Sequence, residues 1–107
     1  MRDRGGAFWE IAAPYLASGA CDEGTIMGHA CLRAKGEFVA MHWGKGGGMV
    51  VKLDAAAAAE RIAAGRGQPF APAGRAFREW LTVPETAMED WAETLAAAVR
   101  LAQARGK

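Results

Sequence analysis

Thr25-Ile26-Met27-Gly28-His29-Ala30-Cys31-Leu32-Arg33-Ala34-Lys35-Gly36-Glu37-Phe38-Val39-Ala40-Met41-His42-Trp43 decides the fold, because short strand-like runs alternate here with glycine. Thr25 to Gly28 and Ala30 to Arg33 read as extended pieces. Lys35-Gly36 then reads as a tight hairpin turn, since glycine accepts a positive φ without steric cost. Beyond it, Phe38, Ala40 and His42 alternate with Val39, Met41 and Trp43, the two-residue period of a strand with one side toward helices. Which side faces in stays open. Gly44-Lys45-Gly46-Gly47-Gly48 reads as a flexible turn, and Met49-Val50-Val51-Lys52-Leu53 as a further strand by its β-branched content.

Outward from this block, Phe8, Ile11, Ala12, Tyr15 and Leu16 recur at helical spacing and predict an amphipathic first helix ended by Gly19. Pro14 removes the bond to the Glu10 carbonyl, so a kink or two short helices are expected. Asp54 is placed to cap a helix over 55–64, with Gly65 as a left-handed C-terminal cap. Gly and Pro make 65–74 a loop, anchored in the core by Phe70. A strand is predicted over 76–83, with Phe77, Leu81 and Val83 on one side and Arg78, Trp80 and Thr82 on the other. Pro84 stops it. Thr86-Ala87-Met88-Glu89 has the form of a capping box and starts a last helix, whose buried stripe is Met88, Trp91, Leu95, Ala98, Val99 and Ala102.

These elements predict a two-layer α+β fold: a curved antiparallel sheet of about five strands, helices at both chain ends and one inserted helix, in the order α-β-β-β-β-α-β-α. With 107 residues, 51% of them apolar and 23% charged, the chain suits one folded domain over 1–107. No stretch approaches the roughly 20 apolar residues needed to cross a bilayer. The start, Met1-Arg2-Asp3-Arg4-Gly5-Gly6, lacks the apolar run of a secretory signal, so a cytoplasmic location is expected. Cys21 and Cys31 form no C-x-x-C pair and are expected as reduced thiols.

Chemistry has few footholds. His29 and Cys31 share a strand face, but a structural zinc site needs four ligands, and no metal or other cofactor is expected. A Cys and His nucleophile pair lacks an orienting partner; the chain has no Asn, and no Asp connects to either histidine. The glycine turn around Lys45 has no following Ser or Thr at a helix start, unlike a phosphate-binding loop. No catalytic residue is therefore expected.

Charge is more informative. The net charge is +1, yet residues 33–78 hold eight basic and three acidic residues, a local net of +5, while 79–93 hold five acidic residues and no basic one. This describes either differing solvated faces or a basic face opposite an acidic helix. In the second case Lys45, Lys52, Arg75 and Arg78 would join Trp43 and Trp80 in a basic surface with aromatic platforms, as single-stranded nucleic acids require.

Ile26-Met27-Gly28-His29-Ala30-Cys31-Leu32, Gly36-Glu37-Phe38-Val39-Ala40-Met41 and Val50-Val51-Lys52-Leu53 together resemble the TfoX amino-terminal domain and related YjbR-like proteins. Pro69-Phe70, Gly74-Arg75, Arg78-Glu79-Trp80 and Val83-Pro84 are similar to that family's second half, so the resemblance covers about 8–102. It implies a two-layer fold with a curved antiparallel sheet and helices at both ends, and a regulatory role with possible DNA binding. It carries over no catalytic residue. The chain ends at Lys107 with no carboxyl-terminal domain, which sets it apart from a full competence regulator; the missing catalytic set, the near-neutral charge and the resemblance together make the expectation a non-catalytic regulatory or protein-binding module. Its partners would be a protein, a weakly bound nucleic acid or a second copy of the chain, and no membrane.

Overall fold

The computed structural model describes residues 6–43, 48–71, 74 and 77–105. Ten elements follow in order: α1 (Gly6–Ser18), β1 (Asp22–Ile26), β2 (His29–Ala34), β3 (Glu37–Trp43), β4 (Gly48–Lys52), α2 (Ala55–Ala63), β5 (Gln68–Phe70), β6 (Phe77–Pro84), a 3-10 segment (Glu85–Asp90) and α3 (Trp91–Arg105). All strands join one antiparallel sheet in the order β1-β2-β3-β4-β6-β5. The architecture is the expected α+β arrangement, with one strand more than expected. Gln68–Phe70, expected as loop, pairs with β6 at the sheet edge. An edge is where Pro69, which has no backbone N–H to donate, is tolerated.

Two hairpins build the first half. Met27 and Gly28 have φ of 51° and 79°, and Lys35 and Gly36 have 52° and 83°, so both two-residue turns take the twist that suits a tight hairpin. Glycine accounts for one position of each turn. Met27, expected at the end of a strand-like run, instead occupies the other position of the first turn.

The strict alternation expected in β3 fails at a bulge. Leu32 pairs with Ala40 and Arg33 with Phe38, so Val39 is extra. Phe38 consequently shares a face with Met41 and Trp43, while Ala40 and Val39 pack with the helices.

The helices cover one face only. Phe8 and Ala12 of α1, Ala58 of α2 and Trp91, Leu95, Ala98, Val99 and Ala102 of α3 meet Leu32, Met49, Val51, Leu81 and Val83 of the sheet in one buried cluster. Pro14 lies within one continuous α1 and does not divide it into two short helices, one of the two outcomes expected. Its position near the C-terminal end leaves few later residues to displace, and Pro14 itself is exposed, so its ring meets no core. Helix α2 follows the sequence reading closely. Asp54 accepts the Ala57 amide at 2.8 Å, and at the other end Gly65 (φ 74°) and Arg66 donate to Ile62 and Arg61, closing a Schellman motif.

The capping box does not form. Residues 85–90 make a 3-10 segment broken at Ala87 (φ −118°, ψ 34°), and the α-helix begins at Trp91. The chain must drop here from the sheet to the helix layer, and three residues per turn swing Met88 off the buried stripe, leaving it 39% exposed. Trp91 fixes the new start. Its indole Nε1 donates to the Val83 carbonyl at 3.0 Å in the core.

Candidate functional site: the strand-only face

A second buried cluster draws on strands alone: Cys31, Phe38, Met41, Val50 and Phe70, with Ile26, Trp43 and Trp80 partly buried around them. Its rings are interlocked. Phe70 stands edge-on to Trp43 at 5.1 Å, stacks on Trp80 at 5.3 Å and meets Phe77 at 5.6 Å, while Phe38 stacks on Trp80 at 4.4 Å. His29 packs on Trp43 at 4.9 Å. Offset and edge contacts of this kind add about 0.5–1.5 kcal/mol per pair beyond the area they bury. The face is thus held together without a covering helix, and its outer rings stay half-exposed. Phe77 at the edge is 37% exposed and Met27 at the first hairpin tip 48%.

The tertiary structure brings together part of the surface expected from sequence. Trp43 and Trp80 flank Phe70, and Lys52 is the register partner of Trp80. Lys52 is not a free cation: its Nζ lies 3.7 Å from a Glu37 carboxylate oxygen. Arg78 is exposed, two residues from Trp80, with no ion pair among the described residues. Lys45 and Arg75, and with them the glycine turn at 44–47, lie outside the described residues.

The opposed charge runs pair with each other. Arg61 of α2 donates to both Glu93 oxygens at 3.1 and 2.8 Å and to Thr94 at 3.3 Å, and Arg66 reaches Glu93 at 3.2 Å and Asp90 at 3.9 Å. Arg105 meets Glu79 at 3.3 Å. Two of the eight basic residues of the middle segment, Arg61 and Arg66, therefore fasten α2 to the acidic residues Asp90 and Glu93, away from the aromatic face.

Phe77, assigned by parity to the side of Leu81 and Val83, joins the aromatic group instead. The β5–β6 register shifts between Pro69 and Phe70 and sets Phe77 opposite Phe70. Parity counting cannot see such a shift, and the only signal for it in the sequence is Pro69 itself. Met27 was also missed as a surface feature; the only signal for it is Gly28, a turn residue between two strand-like runs.

The thiols are inert by position. Burial pushes Cys21 up from 9.0, aided by Asp22, and pushes Cys31 up against the opposing pull of Arg33. Arg33 lies across Gly24, whose missing side chain makes room for it, and donates to the Thr25 carbonyl at 3.2 Å. His42 stands on the helix side, its Nε2 buried without a hydrogen-bond partner and 3.8 Å from Glu85. Among the described residues no three His, Cys, Asp or Glu side chains group as a metal site. No helix among them is long and apolar enough to cross a membrane.

No protein-family model, curated protein or solved structure matches the chain.

Proposed function

We propose that the chain is a non-catalytic protein-binding module that uses the strand-only face for contact, in line with the regulatory role implied by its resemblance to the TfoX amino-terminal domain. Met27 carries this reading. It is held in left-handed backbone (φ 51°), which disfavours its side chain, and it exposes nearly half of that apolar side chain at the tip of the β1–β2 hairpin. Asn or Gly would suit the isolated fold better there. A contact surface explains why a strained, exposed apolar residue stands at the hairpin tip between Ile26, which joins the strand-only cluster, and His29, which packs on Trp43.

The test is enrichment of partners on the immobilised chain, followed by binding titrations with each purified partner. Saturable binding that weakens at least about tenfold in Met27→Asp and Trp43→Ser, with unchanged circular dichroism, is expected for contacts near the centre of an interface. Sedimentation of the chain alone shows whether the partner is a second copy. Reproducible substrate turnover that is lost on substituting Cys31 or His29 overturns the reading.

A second reading rests on the register pairing of Lys52 with Trp80, beside Arg78: weak binding of single-stranded nucleic acid by stacking and charge. Mobility shifts over a salt series decide it. Affinity that is absent at low salt, or indifferent to charge reversal of Lys52 and Arg78, removes it.

A further inference from the structure

A groove of about 370 Å³ opens where α2 overhangs the β5–β6 edge. Ala55, Ala59 and Ile62 form one wall, and Pro69, Phe77 and Trp80 the other. It exists because Ala55 and Ala59 project only a methyl group toward β6, so the run of alanines leaves a trough that larger side chains would fill. Among the described residues, the one charged residue of the lining is Arg78.

The two properties together define a ligand chemistry. Its described lining is apolar apart from Arg78, and the volume lies at the small end of small-molecule sites. Arg78 has no ion pair among the described residues. The planar guanidinium offers paired N–H donors that match a carboxylate.

We infer that this groove binds a small apolar monocarboxylate, its hydrocarbon or aryl body between α2 and the Phe77 and Trp80 rings and its carboxylate on Arg78. The inference goes beyond the protein-binding reading: the groove shares Phe77 and Trp80 with the strand-only face, but its walls do not include Met27 or Trp43, whose substitutions test that reading. Glu79, next along β6, does not compete for Arg78, because its carboxylate is held by Arg105 on the helix side.

Titration of the full chain with octanoate, octanamide and acetate, followed by amide and indole nuclear magnetic resonance shifts, tests the proposal. Octanoate is expected to give saturable shifts at Ala55, Ala59 and the Trp80 indole. It should bind about fivefold tighter than octanamide, the preference that a partly exposed ion pair supports. Acetate, lacking the apolar body, should not saturate. Arg78→Gln should bind both eight-carbon probes equally, and Ala59→Trp should abolish binding by filling the trough, each with an otherwise unchanged spectrum. The proposal is overturned by shifts that fail to saturate or fall outside the groove. Equal binding of octanoate and octanamide, or a preference that survives Arg78→Gln, also overturns it.

Discussion

Arg61 and Glu93, 32 residues apart in sequence, form a two-pronged ion pair at 3.1 and 2.8 Å that ties α2 to α3. The Arg61 guanidinium holds the Glu93 carboxyl below its ordinary range, its hydrogen bonds being the main cause and burial acting against them. The pair joins the most basic part of the chain to its most acidic part.

A carboxylate whose folded pKa is lowered stabilises the fold fully above its ordinary value, here 4.5, and loses that contribution as the pH falls through the lowered one. Glu93→Gln should therefore be less stable at neutral pH by about 1 kcal/mol, because Glu93 is half-exposed while Arg61 is mostly buried. Denaturant titrations along a pH series should show the two proteins converging in acid. A gap that persists at the lowest pH rules this pair out as its source.

Trp91 anchors the start of α3 through the Val83 carbonyl. Trp91→Phe removes the indole bond to that carbonyl, which also faces Met49 in the β4–β6 ladder, and leaves a small void, and should cost about 2 kcal/mol. Thermal and urea unfolding measure the loss, and a cost below the error of the urea midpoint would show that the indole bond contributes nothing.

Met27 should be replaceable to the benefit of the isolated fold. Met27→Asn relieves left-handed strain at an exposed position and should stabilise the protein by about 1 kcal/mol. If the contact reading is right, the same variant binds its partner more weakly, so stability and affinity move in opposite directions. A variant that gains in both speaks against a contact role for this side chain.

Neither thiol should react readily in the native state. Both are buried, and burial is the chief cause that raises each above 9.0. Labelling with a disulfide reagent at mildly alkaline pH should be slow for Cys21 and Cys31 and become fast in denaturant. Rapid labelling of Cys31 in the folded protein would instead show that the strand-only face opens easily.

Local signals made much of the fold legible. The glycine at Lys35-Gly36, the Asp54 cap, the Gly65 stop and the stripe from Trp91 to Ala102 each act through neighbours within a turn or two, and each appears where the residues place it. Most of the failures involve pairing between segments. The Val39 bulge moved Phe38 to the other face, the shift at Pro69 moved Phe77, and the Trp91 indole reaching Val83 displaced the helix start that Thr86 and Glu89 advertise.

The candidate surface divides in the same way. Residue type alone marked Trp43, Trp80, Lys52 and Arg78 as worth watching, because ring size and charge belong to a side chain wherever it lies. Whether they meet is decided by sheet order, which sets Trp80 beside Lys52 and both tryptophans against Phe70. Composition likewise showed a basic and an acidic run but not that they neutralise each other, since the distance between Arg61 and Glu93 depends on how two helices cross one sheet. Local sequence determined which elements form and where most of them end. Only tertiary structure decided which face lacks helices, because one bulge or register shift reverses the direction of every side chain that follows it.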